Sequence, residues 1–255
     1  MKLLADTYFK QYNDIIGNQI ENLITSFNFV EKNIDLGYTT QASAVYSSNI
    51  EGNSIDLNSY MNYKLSPQKT PPHKEIQEIE NLVLAYTFAQ SNPLTEKNLL
   101  QSHKIFAQTL VIKSEQGNYR KEKVGVFDTS GLVYLAIEPE HVQKTMRDFF
   151  HDVELLIKKK LSTTETLYFA SFIHLLFAHI HPFRDGNGRA ARLLEKWFLA
   201  EKLGKDFWKI SSEKFYKEHQ QEYYRNINLG INYYELDYNK CIPFLLMLPN
   251  SLEEK

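Results

Sequence analysis

The sequence predicts a bundle of α-helices that carries one β-hairpin. Apolar residues recur at helical spacing along most of the chain, as they do in residues 8–30. Only residues 123–127 and 132–137 have the composition of strands, and residues 128–131 between them form a turn. Hydrophobic residues make up 43% of the chain and aromatic residues 13%, which favours a packed core over disorder.

Several of the predicted helices have identifiable ends. All the predicted helices together cover residues 8–30, about 41–50, 73–90, 95–109, 138–160, 167–180, 189–204, 215–227 and 239–248. Gly52 is placed to end the second of them, and Ser162-x-x-Glu165 is a capping box that opens the buried helix leading to His181. Residues 65–72 have the most loop-like composition of the chain.

Charge and cysteine content exclude several classes of protein. The net charge of −2 gives no basic field for nucleic acid or an anionic membrane. The single cysteine, Cys241, excludes an internal disulfide framework and agrees with a reducing compartment. No apolar run approaches the ~20 residues of a membrane helix, and the charged N-terminus does not resemble a signal peptide. We expect a cytoplasmic protein with neither nucleic acid nor membrane as a partner.

The strongest functional signal is the run His181-Pro182-Phe183-Arg184-Asp185-Gly186-Asn187-Gly188-Arg189-Ala190-Ala191-Arg192, between two predicted helices. Successive amides in the turn Gly186-Asn187-Gly188, together with the start of the following helix, form a donor cluster that favours anions. Arg189 and Arg192 are three residues apart and add two positive charges on one helix face.

Two further residues of this run fit phosphoryl chemistry. Asp185 offers the hard carboxylate that suits Mg²⁺ bound together with substrate phosphates. His181 is the side chain that can accept a proton near neutral pH. The run therefore predicts a site that binds a nucleotide and acts on its phosphates.

Competing interpretations of this region fit less well. The segment Gly186–Ala191 matches a dinucleotide fingerprint, but that motif must follow a strand and here follows a helix. A calcium loop that begins at Asp185 would need Gly rather than Ala190 and Glu rather than Lys196. His174 and His179 could join His181 as metal ligands, but His179 points away from the other two on a helix, and we interpret both as core residues.

The twelve-residue run resembles the signature of the Fic family, H-P-F-x-[DE]-G-N-G-R-x-x-R, at every fixed position. The resemblance implies a Fic-like fold with an N-terminal helical region over residues 1–95 and a core over residues 96–250. It implies a protein adenylyltransferase, which transfers AMP from ATP to a Tyr, Thr or Ser hydroxyl of a target protein. Self-modification and a homo-oligomer stay open.

The same resemblance assigns expected roles to the site residues. His181 is the catalytic base, and Gly186, Asn187 and Gly188 cradle the α- and β-phosphates. Asp185 holds Mg²⁺, Arg189 contacts the β-phosphate and Arg192 the γ-phosphate. The remaining residues that we expect at the nucleotide are Phe183, which anchors the loop, and Tyr223, Tyr224 and Asn228, which we place in the adenine pocket from their position after the twelve-residue run.

The predicted hairpin, at about residues 123–137, is unusual in a helical bundle. A lone hairpin is only marginally stable in water, so packing or function must retain it. In the Fic family a hairpin flap covers the nucleotide and pairs with the backbone of the target. The resemblance places Val124, Gly125, Val126 and Phe127 in that flap. The alternative is a hairpin that only packs against the bundle.

A second motif lies before the core, at about residues 41–52. Ser47 and Glu51 are one helical turn apart, and Glu51 falls where the helix dipole disfavours negative charge. Ser47 to Gly52 resembles the inhibitory motif [ST]-x-x-x-E-[GN] of Fic proteins. The resemblance implies that Glu51 pairs with Arg192 and occupies the place of the γ-phosphate; the alternative is a solvent-exposed glutamate.

Two other functions stay open. Glu51 could orient a water that removes AMP from a modified target, which would make the protein a deAMPylase or a bifunctional enzyme. The protein could instead be a regulator that binds nucleotide and transfers nothing. A pure binder has no need of His181 beside the phosphates.

Overall fold

The computed structural model describes Leu3 and residues 6–27, 35–66, 73–129 and 131–253. Residues 28–30 of the first predicted helix, residues 67–72 of the predicted loop and Ser130 of the predicted turn lie outside the described residues. The described part of the chain is mainly helical, with one two-stranded antiparallel sheet. The predicted fold class is confirmed.

Helices before the hairpin form the N-terminal half of the bundle. Their bounds are α1, Phe9–Ile16; α2, Ile20–Phe27; α3, Leu36–Ile50; α4, Leu57–Leu65; α5, Lys74–Gln90; and α6, Glu96–Phe106. The strands are β1, Gly125–Asp128, and β2, Gly131–Leu135. The helices after the hairpin are α7, Pro139–Lys158; α8, Thr163–Ile180; α9, Asn187–Leu203; α10, Ser212–Glu218; α11, Gln220–Ile227; α12, Ile242–Leu245; and α13, Met247–Asn250.

The centre of the fold is the pair α8 and α9, which pack against each other. The predicted capping box is present at the start of α8, where the Glu165 amide donates to the Ser162 hydroxyl over 3.2 Å. From Thr166 to Ile180 all but one of the residues of α8 are buried, as the apolar sequence predicts. Gly204 follows α9 with a positive φ of 104°, so it ends that helix as expected.

The helices before residue 66 differ from the predictions in three ways. α3 begins at Leu36 rather than about 41, because the Asp35 carboxylate caps its free amides at 3.0 and 3.2 Å. The predicted helix 8–30 is interrupted by a 3-10 turn at Gly17–Gln19. α4 was not predicted, since its largely polar sequence has a weak apolar pattern; Asp56 caps it.

Two predicted helices near the C-terminus are wrong as continuous elements. Residues 215–227 are divided at His219 into α10 and α11. Residues 239–248 consist of a 3-10 turn followed by the short helices α12 and α13. Pro243 and Pro249 explain this second break, because a proline lacks the amide that a helix interior needs.

The hairpin packs on the bundle through β2. The Leu135 amide donates to the Ile231 carbonyl over 2.8 Å, and the Tyr134 hydroxyl donates to the His179 carbonyl over 2.5 Å. The pairing register shifts opposite Val126 and Phe127, because Val133 is an extra residue on β2. Support from the bundle therefore stabilises a sheet that would be marginal alone. No described helix has both the length and the apolar composition that crossing a lipid bilayer requires.

Candidate active site

The catalytic run begins where α8 ends, at a strained residue. His181 has φ 52° and ψ 56°, and it is the only non-glycine residue with positive φ in the described part of the chain. A left-handed conformation costs an L-residue about 1 kcal/mol or more, so neighbouring contacts must hold it. Pro182 follows and prevents the helix from continuing.

Arg120 supplies those contacts. Its Nε donates to the His181 carbonyl over 2.7 Å, and its own amide donates to the Pro182 carbonyl over 2.9 Å. Its two terminal nitrogens donate to the carbonyls of Glu122 and Ile137, which flank the hairpin. The side chain is buried, and nothing in its local sequence distinguishes it from a surface arginine. Arg120 therefore fixes the turn at His181 and connects it to the base of the hairpin.

Phe183 and Asn187 shape the loop from inside rather than line a cavity. The Asn187 side chain accepts from the Phe183 amide at 2.8 Å and donates to the Phe183 carbonyl at 2.9 Å. The Phe183 ring is fully buried and stacks on the His103 ring at 3.7 Å between centroids. His103 in turn donates from Nε2 to the Asp185 carbonyl over 3.0 Å, because its Nδ1 accepts from the Gly117 amide. Burial lowers the pKa of His103 to about 4, so this donor stays neutral.

Gly186 is the position where the loop requires glycine. Its φ is 84°, and a Cβ there would lie 2.6 Å from a ring carbon of Phe106. We expect Gly186→Ala to lower the free energy of unfolding by about 1–3 kcal/mol, because the backbone strain at positive φ adds to the collision of the new Cβ with Phe106. Gly204→Ala is the matched control, because Gly204 has positive φ but no atom within 4 Å of a Cβ. Urea denaturation that shows equal losses for the two variants would contradict this explanation.

A cavity of about 590 Å³ opens beside the catalytic run, within the usual range of small-molecule sites. It contains most of the side chains that the sequence predicted for catalysis, inhibition, the adenine pocket and the flap. Those lining it are Glu51, Gly52, Val126, Phe127, His181, Gly188, Tyr223, Tyr224 and Asn228. Val133, Tyr134, His179, Ile227 and Leu229 also line it and were not predicted. Val124, Gly125, Phe183, Asp185, Gly186, Asn187, Arg189 and Arg192 are not among the lining residues.

Arg192 lies directly behind the cavity wall and is fully buried. Its Nη2 is 2.7 Å from Oε1 of Glu51 and 2.9 Å from the Ser47 carbonyl. Its Nε donates to the Ser47 hydroxyl over 2.9 Å, and its Nη1 donates to the Tyr223 hydroxyl over 3.2 Å. The structure thus places Glu51 at Arg192, as the resemblance implied, and adds Ser47 as a second partner of this arginine.

The Glu51 carboxylate also lies against the start of α9. A Cβ at Gly188 would collide with Oε1 of Glu51, so only glycine leaves room for the carboxylate here. Burial raises the pKa of Glu51, but the charges of Arg192 and Arg189 outweigh burial and leave the pKa below its usual value. A helix N-terminus, a glycine and a buried guanidinium therefore hold an ionised carboxylate at the place suited to an anion.

Arg189 and Asp185 lie at the outer side of the run. Arg189 is buried, with Nη2 3.7 Å from Glu78 and Nη1 4.0 Å from Asp185. The Asp185 side chain is 54% exposed, and one of its oxygens accepts from the Gly186 amide. One exposed carboxylate fits Mg²⁺ bound chiefly by phosphates and water. No group of three or more His, Cys, Asp or Glu side chains in the described part of the chain could hold a metal alone.

The end of α3 is held by side chains from α10 and α11. The Ile50 carbonyl accepts from Gln220 Nε2 and from the Tyr224 hydroxyl, each at 2.8 Å, and the Asn49 carbonyl accepts from Lys217 Nζ at 3.0 Å. Helix C-termini favour such donors. Tyr224 therefore combines its place in the cavity wall with a structural contact to the helix that carries Glu51.

His174 and His179 are core residues, as interpreted from the sequence. His174 is fully buried between Glu195 and Tyr223, and His179 is hydrogen-bonded to Tyr238 and to the Ile227 carbonyl. Burial lowers the pKa of His179 to about 4. Burial also lowers the pKa of His181, while Glu51 and Asp185 oppose that change. His181 is therefore neutral and able to accept a proton at neutral pH.

Comparison with known proteins agrees with this geometry. Residues 93–199 match the Fic/DOC family. A protein adenylyltransferase Fic of Nematostella vectensis is 31% identical over 162 residues, which is 59% of this chain and 35% of that protein. Its counterpart from Drosophila erecta is 28% identical over 162 residues, covering 60% and 31%. The chain therefore spans about a third of the length of these curated relatives.

A solved structure shows the same fold. The crystal structure of a Fic family protein from Desulfovibrio desulfuricans G20 superimposes with a TM-score of 0.79 at 24% identity, over 95% of this chain and 73% of that one. The sequence match lies on the segment that includes α8, the loop with His181 and most of α9. The chain therefore has a Fic-like fold, and its residues 93–199 match the Fic/DOC family.

Proposed function

We propose that this chain is a protein adenylyltransferase that transfers AMP from ATP to a hydroxyl side chain of a target protein. One observation carries the proposal. Beside His181, in a cavity of nucleotide size, the carboxylate of Glu51 occupies an anion site built from Gly188 and Arg192. A phosphate group is the ligand that such a site accepts when the carboxylate leaves.

His181 acts as the base. Its Nδ1 lies 3.2 Å from the Ala178 carbonyl, a contact in which Nδ1 carries the proton and Nε2 keeps the lone pair. Nε2 accepts the proton of the target hydroxyl as the hydroxyl oxygen bonds to the α-phosphorus of ATP. The bond from the α-phosphorus to the bridging oxygen breaks, and pyrophosphate leaves.

The other residues align the triphosphate. The amides of Gly186, Asn187 and Gly188 bind the α- and β-phosphates, while Arg189 contacts the β-phosphate and Arg192 the γ-phosphate. Asp185 would hold Mg²⁺, which neutralises phosphate charge when bound. Alignment and charge stabilisation of this kind provide most of the acceleration in phosphoryl chemistry.

Glu51 inhibits by taking the place of the γ-phosphate on Arg192. The helix that carries it is part of the core, because Ser43, Ser47 and Ser48 are buried and Lys196 donates to the Ser43 hydroxyl over 2.7 Å. The Glu51 side chain is 29% exposed at the end of that helix. Relief of inhibition therefore needs rotation of one side chain rather than release of α3.

The hairpin presents the target. Val126 and Phe127 line the cavity, and the two residues are 38% and 69% exposed. Residues that are apolar and exposed at the edge of a two-stranded sheet suit an extended partner segment, which would gain main-chain hydrogen bonds there.

Removal of AMP is the second candidate function. The observation that favours it is the ionised Glu51 carboxylate, which faces the same cavity as His181 and could orient a water. Incubating an AMP-modified target with the protein that retains Glu51 and with the Glu51→Gly variant separates the two functions. Loss of AMP that depends on Glu51 supports removal.

The reaction type is tested with the Glu51→Gly protein, Mg²⁺ and ATP labelled at either the α- or the γ-phosphate, incubated with a cell lysate. We expect only the α-label to become attached to protein, and mass spectrometry to find the mass of one AMP on a hydroxyl residue. Transfer of the γ-label would indicate a kinase. Binding of ATP without transfer would indicate a regulator.

The proposal also predicts a pH dependence of transfer in the Glu51→Gly protein. Burial already lowers the pKa of His181, and loss of the Glu51 charge removes an influence that raises it. Activity is lost as pH falls and His181 becomes protonated. We expect the midpoint of the acid limb in the pH profile of kcat/KM to lie below pH ~6.5, the ordinary pKa of histidine. A midpoint above that value would contradict His181 as the base.

A further inference from the structure

A buried chain of hydrogen bonds connects Arg192 to a second carboxylate, on the side away from Ser47 and Glu51. Arg192 Nη1 donates to the Tyr223 hydroxyl over 3.2 Å, and that hydroxyl lies 3.0 Å from His174 Nε2. His174 Nδ1 lies 2.8 Å from Oε2 of Glu195. Arg192, His174 and Glu195 are completely buried, and Tyr223 is 2% exposed.

The donor and acceptor atoms determine which group donates in each of these hydrogen bonds. A guanidinium only donates, so the Tyr223 oxygen accepts from Arg192 and sends its own proton to His174. The Glu195 carboxylate accepts from His174 Nδ1 and from the Tyr216 hydroxyl at 2.9 Å, so Nδ1 carries the histidine proton. His174 Nε2 then has the lone pair that receives the Tyr223 proton.

We infer that His174 and Glu195 are positioning residues for Arg192: by fixing the tautomer of His174 they keep the lone pair of Tyr223 turned toward the guanidinium. The inference rests on the proposed function, in which Arg192 contacts the terminal phosphate of ATP. Once Glu51 has moved, Ser47 holds Nε and Nη2, and Tyr223 holds Nη1. Reversing the His174 tautomer would make Nε2 a donor, so the Tyr223 proton would lose its acceptor and the hydroxyl would no longer be held in this orientation.

A matched control exists on the same helix. Tyr238 donates to His179 over 3.0 Å, so it also pairs a buried tyrosine hydroxyl with a histidine of α8. Neither partner contacts Arg192 by any hydrogen bond that the described residues show. Tyr238→Phe therefore removes a buried tyrosine hydroxyl from a histidine, as Tyr223→Phe does, without disturbing the Arg192 guanidinium.

The test measures ATP and ADP dissociation constants by calorimetry in proteins that all carry Glu51→Gly, where ATP should bind more tightly than ADP. We expect Tyr223→Phe and His174→Leu to weaken ATP binding about tenfold, the effect of one hydrogen bond to a charged group, and to change ADP binding little. His174→Gln, which keeps a donor and an acceptor, should restore most of the affinity. Tyr238→Phe should leave the ratio of the two constants unchanged.

Outcomes of this experiment separate the inference from the function on which it rests. If the Glu51→Gly protein fails to prefer ATP, the proposed function is contradicted. If it prefers ATP and the Tyr223→Phe and His174→Leu variants keep the same ratio, the inference alone is overturned. Because His174→Leu leaves the buried Glu195 carboxylate with the Tyr216 hydroxyl but without the imidazole and could prevent folding, ¹⁵N NMR of the His174 ring provides a second readout. A proton on Nδ1 is expected, and a proton on Nε2 would overturn the inference.

Discussion

Replacing Glu51 with glycine should raise the rate of AMP transfer on the order of 100-fold, because it frees Arg192 to align the triphosphate. The carboxylate now lies 2.7 Å from Arg192 and fills the space above Gly188. Removing it leaves the anion site empty and leaves Ser47 in place to hold the guanidinium. Initial rates of α-label transfer from ATP to lysate proteins measure the effect.

Two variants control for charge and for general loosening of the site. Glu51→Gln keeps the shape of the side chain but not its charge, so it should give an intermediate rate. Glu78→Gln removes a carboxylate that lies 3.7 Å from Arg189 of α9 and does not line the cavity, so it should give no increase. An equal rise in Glu51→Gly and Glu78→Gln would mean that Glu51 has no specific inhibitory role.

The second large effect is expected from His181→Ala in the Glu51→Gly protein. Transfer should fall by roughly 10²–10⁴-fold, the usual contribution of a positioned general base, while ATP affinity stays nearly unchanged. Retained affinity is expected because the phosphates bind to backbone amides and to arginines rather than to the imidazole. Single-turnover rates and calorimetry report the two quantities separately.

His151→Ala is the matched control for this loss, since His151 is exposed on α7 and lies outside the cavity. It should transfer AMP at the rate of the Glu51→Gly parent. If His181→Ala retains the parent rate, the base must be another group. If it loses ATP affinity in proportion to its rate, His181 acts in binding instead of proton transfer.

Elements whose determinants are local were predictable from the sequence. The capping box at Ser162, the apolar run of α8 and the glycine after α9 each lie within a few residues of the boundary they set. Errors occurred where a local pattern was weak or where a break depended on the surroundings. α4 has few apolar positions, and the division at His219 leaves no proline or glycine to mark it.

The site was predictable to the extent that it is contiguous in sequence. Residues 181–192 and 47–52 carry motifs, and a resemblance, rather than periodicity, joined Glu51 to Arg192 across 141 residues. Arg120, His103 and Glu78 were missed because each contacts the catalytic run from a position that is distant in sequence. Phe183 and Asn187 belong to the motif, yet their side chains stabilise the loop from within.

The most direct test is a crystal structure of the Glu51→Gly, His181→Ala protein with ATP and Mg²⁺. The account predicts the terminal phosphate on Arg192, the α-phosphate over Gly186–Gly188, and its phosphorus open toward residue 181 and the hairpin. A triphosphate bound elsewhere, or one whose terminal phosphate lies away from Arg192, would contradict both the proposed catalysis and the proposed inhibition.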